Sequence, residues 1–323
     1  MRRFALARQF YSHWLAVLLC IVCGPAVAEQ RCLFVSSYHQ GYAWSDGVER
    51  GLRSVLETRC TIKQFDMDTK RAQSENQKQS AALAAKAIID SWQPDVVIAA
   101  DDNAAKYLVA PFYRNAKLPV VFCGINWTAK EYGFPYSNVT GMVEVAPISP
   151  LLNWATKIAG SATVATYIGA DTLTENKNFR RFQTVTERLG IRLEPRLVDS
   201  VHEWLAAYQE AQGADFVVLG SHSGINDWDP ELIQRRIAVA SQKLTVTNHE
   251  WMMPFTMFGL TKVAEEQGRW AGLTASAILD GMSPSEIPII ANQTWDVWSN
   301  EALLSAAAIR LPRALRKKAK RAQ

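Results

Sequence analysis

Short, wholly apolar runs alternate with amphipathic stretches along the chain, a pattern that predicts strands buried on both faces and joined by surface helices. Residues 34–46 set the theme, reading FVSSYHQGYAWSD: an apolar run, a polar and aromatic loop, then a helix start. Val48, Leu52, Val55 and Leu56 then fall at i, i+4, i+7 and i+8, so one face of that helix is buried. Asp46 and Glu49 have the spacing of a capping box at its start. CTIKQF is a second strand, ending in Asp66, Met67 and Asp68, and a helical stretch over about 73–91 has Leu83, Ala87, Ile88 and Trp92 on one side. Pro94 opens DVVIAADDN, a third strand whose carboxyl end shows Asp101, Asp102 and Asn103. A helix over 104–113 leads to VVFCGIN, a fourth strand ending at Asn126 and Trp127.

The pattern then begins again. SATVATYIGAD (161–171), IRLEPRLVDS, DFVVLGSHSG and LTVTNHE are strands. Between them lie helices marked by Phe179, Phe182, Val185 and Leu189, by Trp204 and Tyr208, and by the stretch 230–241. Strands alternating with helices predict an α/β chain of two doubly wound parallel-sheet lobes. No Gly/Ser-rich linker separates the halves, so the lobes enclose a cleft rather than float apart. In such sheets ligands bind at the carboxyl ends of the strands.

Composition changes this picture at the termini. Arg2, Arg3 and Arg8 precede an apolar segment over 15–22, followed by Ala26, Val27 and Ala28, so residues 1–28 read as a secretory signal peptide cut before Glu29. The apolar core is short for a membrane span, and no later run is long enough, so the mature chain is expected in the periplasm; retention of the segment as an anchor is the alternative. Removing those arginines lowers the formal charge from +4 to +1, which gives no general electrostatic case for nucleic acid. Arg313, Arg316, Lys317, Lys318, Lys320 and Arg321 crowd the C-terminus and read as a solvated, partly frayed helix end. Cys32 and Cys60 stand at the starts of the first two strands, which lie side by side in a sheet beginning β-α-β, and are expected to form a disulfide. The alternative is two separate small apolar side chains. Cys123, inside VVFC, reads as a buried thiol.

Catalytic patterns are absent or incomplete. GSHSG (220–224) has His222 where a hydrolase nucleophile elbow needs serine, and no phosphate-cradling glycine motif follows any strand. His39, His202, His222 and His249 lack the i, i+4 spacing of a helical zinc site, so no metal and no cofactor are expected. The strand ends instead supply binding chemistry. Tyr38, Trp44 and Trp127 can stack on a flat ligand; Asp101, Asp102 and Asp199 suit an ammonium group or a sugar hydroxyl. Ser36, Ser37 and Ser221 suit a carboxylate. Ser36 and Asp199 apart, these residues make up the candidate ligand site with His39, Asn126, Asp171 and His222, expected to converge between the lobes.

Four stretches resemble the type 1 periplasmic binding proteins, in the branch of ABC-transporter substrate-binding proteins that includes tryptophan and tyrosine binders. They are SYHQGYAWSDGVERGL, PVVFCGIN, NVTGMVE (138–144) and EQGRWAGLTASAILDGMSPSEIPI (266–289). The YHxGxxWSD loop is similar to a subgroup that also serves as periplasmic sensor modules on histidine kinases and cyclases. The resemblance implies a three-segment hinge, with 29–142 plus 254–283 in the N-terminal lobe and 143–253 plus 284–323 in the C-terminal lobe. It also implies a monomer, without enzymatic turnover, that carries a small polar or aromatic molecule to an ABC-type permease. The alternative is a receptor that signals to a membrane histidine kinase or diguanylate cyclase.

Overall fold

In a computed structural model, which describes residues 29–72 and 74–322, the apolar runs become strands of two sheets. The signal-peptide reading of 1–28 lies outside the described residues. The first strands are β1 (Arg31–Ser36), β2 (Thr61–Asp66), β3 (Val96–Ala100), β4 (Val120–Asn126) and β5 (Val139–Glu144). There follow β6 (Val164–Ala170), β7 (Arg192–Val198), β8 (Phe216–Leu219), β9 (Leu244–Thr247) and β10 (Phe258–Lys262). Short strands β11 (Ile290–Ala291), β12 (Trp295–Ser299) and β13 (Lys320–Arg321) end the chain. One sheet has the order β11-β5-β4-β3-β1-β2, the other β13-β12-β10-β9-β8-β6-β7. Pairing is parallel throughout except between β10 and β12. Parallel pairing requires crossovers, supplied mainly by α1 (Ala43–Leu56), α2 (Glu75–Trp92), α3 (101–112), α4 (Ile148–Ala159), α5 (Leu173–Arg188), α6 (Val201–Ala211) and α7 (Pro230–Ala240).

Strands covered on both faces explain the unbroken apolar runs. In β1, Cys32 and Phe34 pack with Val48, Leu52 and Leu56 of α1, while Leu33 and Val35 pack with Ala82, Ala85 and Ile89 of α2. Of the expected face of α2, Ile88 and Trp92 are half-buried against this core, but Leu83 and Ala87 face solvent, because the helix is seated through Ala82, Ala85 and Ile89. The start of α1 also differs. The helix begins at Ala43, and Asp46 lies inside its first turn, where its carboxylate accepts from Gly41 N at 2.9 Å. Asp46 and Glu49 thus form no capping box; Glu49 instead accepts from Arg53 and Gln64. Ser74, Thr172, Ser200 and Asp229 do cap their helices, each accepting from the backbone three residues on.

The chain passes between the sheets three times: from β5 to α4, from β10 to the helix α8 (Ala264–Leu279), and from β11 to β12. The crossings fall later than the expected boundaries. Residues 258–262 extend the second sheet beside β9 rather than returning to the first, and 290–291 pair with Met142 and Val143 of the first sheet rather than joining the second. Residues 143–144 likewise complete β5 in the first sheet. The basic terminus is not a frayed helix end. Helix α10 (Arg313–Arg316), which follows α9 (Glu301–Ala306), is pinned by buried Leu311 and Leu315, and β13 pairs with Trp298 and Ser299. Cys32 and Cys60 are joined in a disulfide with Cα atoms 6.0 Å apart, and Cys123 is buried and free.

Helix α8 returns to the first lobe by packing against α1 with the backbones in contact. A Cβ on Gly268 would stand 1.8 Å from Val48 O, and one on Gly51 would stand 2.2 Å from Glu265 O. Only glycine fits at either place. Gly268→Ala is therefore expected to lower the unfolding free energy by roughly 1–3 kcal/mol, the usual range for overpacking. Denaturant melts of the two proteins check this, and an unchanged midpoint would contradict it.

Candidate functional site

The carboxyl ends of β1, β3 and β4 lie on one edge of the first sheet, and those of β6, β8 and β9 on one edge of the second. The parallel order thereby gathers Ser37, Tyr38, His39, Asp101, Asp102, Asn126 and Trp127 at the first edge and Asp171, Ser221 and His222 at the second. Trp44, from the first turn of α1, reaches the first edge from the side.

Asp101 is the centre of the first edge. It is 2 % exposed and its φ is +68°, a left-handed conformation that an aspartate adopts at some cost. Its Oδ1 accepts from Trp44 Nε1 at 3.0 Å, and its Oδ2 is buried without a hydrogen-bond partner among the described residues. Gly124, at φ +72°, makes the room, since a Cβ there would stand 2.8 Å from Asp101 Oδ1. Gly124 N in turn donates to Gln267 Oε1 of α8 at 2.9 Å. Burial pushes the Asp101 carboxyl up to about 7, opposed by the Trp44 N–H and assisted by the charge on Asp102. Burial, with the Asp101 charge next, also raises the Tyr38 hydroxyl.

The other first-edge polar groups are mostly occupied. Ser37 Oγ donates to Ala100 O at 2.6 Å and accepts from Ala104 N at 2.8 Å, so its hydroxyl supports the β1–β3 edge. Asp102 accepts from Asn126 Nδ2 at 2.6 Å and from Tyr132 OH at 2.7 Å. His39 Nδ1 lies 2.8 Å from Gln40 O. Tyr38 and Tyr42 stand edge to face with ring centroids 5.2 Å apart, and Lys70 Nζ sits 4.4 Å from the first ring and 5.0 Å from the second. Lys262, at the end of β10, places its ammonium 5.1 Å from the Trp44 ring and pairs with Glu144 at the end of β5. Burial presses Lys262 down to about 8, so beside Glu144 it stays charged at neutral pH.

Trp127, at φ +63°, turns from the first lobe onto the second, where Arg181 of α5 lies 4.1 Å from its ring centroid. On the second edge, Ser221 Oγ accepts from Trp251 Nε1 at 3.3 Å and Ser221 N donates to Glu175 Oε2 at 3.0 Å. His222 stacks on Trp228 with centroids 4.2 Å apart, and burial lowers its pKa. Exposed Asp171 accepts from Asn176. Beyond β9, Asn248 Oδ1 and His249 Nε2 are buried without hydrogen-bond partners among the described residues; burial drops His249 to about 4. Trp44 with Asp101, and Asp102 with Asn126, come together as pairs. Among the described residues, none of Asp171, Ser221 or His222 bonds or stacks to a first-lobe residue. The two edges therefore present separate halves of a site. No group of three or more His, Cys, Asp or Glu side chains suited to a metal comes together among the described residues.

Sequence reasoning missed Lys262, Glu144, Lys70, Arg181, His249 and Trp251. One signal was available: Lys262 and Glu144 each close an apolar strand, FGLTK and VTGMVE, where a lone charge at the end of a buried run marks a sheet edge. Their pairing across 118 residues has no local signature.

A family model described as "ABC transporter substrate binding protein" matches residues 34–323. No curated protein matches the sequence. Among solved structures, a substrate binding protein with adhesive properties from Clostridium difficile, in its ligand-free, open structure, is similar at 14 % identity and a TM-score of 0.70, over 91 % of this chain and 99 % of that one. An ABC domain in complex with L-Trp from Streptococcus pneumonia matches at 14 % identity and a TM-score of 0.58, over the same 91 % and 99 %. A periplasmic ribose ABC transporter protein from Conexibacter woesei matches at 16 % identity and a TM-score of 0.57, over 92 % and 100 %. At these identities the likeness is one of fold.

The raised Asp101 pKa has a consequence for stability. Below about pH 4 the carboxyl is protonated folded or unfolded and contributes nothing; between about 4 and 7 the unfolded state releases its proton first, so stability falls as pH rises. Asp101→Asn keeps an acceptor for Trp44 and removes that penalty. Its stability gain over the parent is expected to be near zero at pH 4 and to grow to on the order of 2–4 kcal/mol at pH 8. Denaturant melts across that range check it; a constant difference would mean that Asp101 ionises normally.

Proposed function

The chain belongs to the ABC transporter substrate-binding protein family, and from that premise we propose that it captures a small polar or aromatic solute between its lobes and delivers it to an ABC-type permease. The observation that carries this reading is Asp101: a buried carboxylate with an unpaired oxygen, in strained backbone, at the strand edge where open α/β sheets bind ligands. Leaving such a group unsatisfied costs stability, and a solute that completes its hydrogen bonds recovers that cost. Trp44 and Tyr38 add apolar surface beside it that excludes water.

The three crossings support closure of one lobe on the other about a hinge. In that motion Asp171, Ser221 and His222 approach a solute already held on the first edge. Binding rather than turnover fits the second edge, where Ser221 is engaged by Trp251 and Glu175 and His222 is stacked on Trp228, so neither is set as a nucleophile with a base. Among the described residues no helix is long and apolar enough to cross a membrane. With the arginine-led apolar segment before Glu29, this supports export and action in the periplasm.

The test is a thermal-shift screen of amino acids, purines, sugars, amines and small organic acids, run beside mass spectrometry of any solute released from natively purified protein. A true solute should stabilise the fold by about 2.7 kcal/mol at a hundredfold excess over its Kd. Trp44→Ala or Trp127→Ala should abolish that shift while the protein stays folded. A shift that survives both changes together with Asp101→Ala would move the site elsewhere, and chemical conversion of the solute would refute the binding reading.

A further inference from the structure

We propose that the second lobe holds the solute through Asn248 and His249, and that the group they hold is uncharged and hydrogen-bonding, a carboxamide or the N–H edge of a nitrogen heterocycle. The proposal rests on the interlobe cleft being the solute site; it names a subsite there and the chemistry that subsite selects. Two independent observations carry it. The first is a pair of buried polar atoms with nothing to bond. Asn248 is 7 % exposed and its Oδ1 has no hydrogen-bond partner among the described residues, and neither has the buried Nε2 of His249. Both residues follow directly on β9, at the carboxyl edge that also carries Ser221 and His222, and His222 is near enough for its charge to disfavour a proton on His249. A buried acceptor left unpaired costs free energy that a donor on the solute recovers.

The second observation is Trp251. Its indole is 53 % exposed yet fixed in place: Nε1 donates to Ser221 Oγ at 3.3 Å, and the ring stacks on His249 with centroids 4.5 Å apart. A large apolar face held open beside unpaired polar atoms is the composition of a ligand subsite. The neighbours have less to offer, since Ser221 Oγ already accepts from both Trp251 Nε1 and Ser223 N, and His222 is stacked on Trp228.

The charge state of this edge selects the class of group. Burial drives the proton off His249 and lowers His222, so both imidazoles are neutral at pH 7. Glu175, whose carboxylate is buried at the same edge, is filled by Tyr167 OH, Ser221 N and Asn178 Nδ2, and Lys262 at the end of the neighbouring β10 is paired with Glu144. A carboxylate or ammonium placed against Asn248 and His249 gives up its hydration for neutral partners only, which is unfavourable. An amide or heterocyclic N–H loses far less and supplies the donor that Asn248 Oδ1 lacks, while neutral His249 Nε2 donates or accepts according to its tautomer.

Titration calorimetry on the full chain tests this with matched probes, benzamide against benzoate and benzylamine and uracil against 1,3-dimethyluracil, run beside any solute released from natively purified protein. Benzamide, uracil or the released solute should bind. The charged counterparts, and the N-methylated one that lacks the donor, should bind about a hundredfold more weakly or not at all. Asn248→Ala should weaken binding about tenfold to a hundredfold in a protein that melts no lower than the parent, because Oδ1 has no bond to lose. His249→Phe, which keeps a ring against Trp251 and removes Nε2, should weaken it similarly. Parent affinity in both variants would overturn the subsite, and a loss accompanied by a lowered melting point in Asn248→Ala would make that residue structural and overturn its role. Charged counterparts that bind as tightly as the neutral probe, or a released solute with no uncharged N–H group, would overturn the class of group. In each of these cases the solute-binding reading stands. If no small molecule binds or is released, that reading falls as well.

Discussion

The contact between α1 and α8 is the constraint on which the rest of the first lobe depends. The chain leaves the second sheet at Lys262 and must lay a sixteen-residue helix back on the first lobe, and it does so with Gly51 and Gly268 letting the two backbones touch. That seat does more than close the core. Helix α1 carries Trp44 and α8 carries Gln267; Gln267 fixes Gly124, Gly124 leaves space for the Asp101 carboxylate, and Trp44 donates to it. The candidate site is thus assembled where a returning helix, its partner and two strand ends meet. None of these elements alone would hold the buried acid.

Burying that acid works against stability, and the strain at Asp101 and Trp127 adds to the cost. The lobe's large core, covering both faces of its sheet, can carry such a penalty. The hinge shows a matching economy of contacts. Lys262 and Glu144 close the two strands from which the first two crossings depart, and their ion pair ties those crossings together. Arg181 over Trp127 is a second contact between the lobes, with the guanidinium partly desolvated by its surroundings. A solute that draws the lobes together works against few such contacts, which is what a receptor needs if closure is to report occupancy.

Much of the fold was legible because parallel strands covered on both faces are written as continuous apolar runs. VVFCGIN is a strand from Val120 to Asn126, and the strand ends that carry Asp101 and Trp127 follow from such runs. The crossings were less legible, because 254–262 is apolar whichever sheet it joins, and only its pairing with β9 decides. The capping box at Asp46 failed because a D-x-x-E spacing does not say whether the aspartate precedes the helix or sits in its first turn; here the turn at Gly41 and Tyr42 starts the helix earlier. In the site, residue types at strand ends were readable and their state was not. Ser37, Asp102 and Asp101 look alike in a sequence, yet the first two are filled by neighbouring groups and only the third keeps an unpaired oxygen.

If solute is held between two lobes that close on it, the distance across the cleft shortens on binding. Lys130, beyond β4, and Ser223, beyond β8, are exposed on the two edges and accept spin labels through introduced cysteines, while buried Cys123 and the bridged Cys32 and Cys60 do not react. Pulsed electron–electron resonance should give a broad distance distribution for the free protein and a shorter, narrower one with the solute released from native protein restored at saturation. An unchanged distribution under saturating solute would mean that the lobes do not close on it.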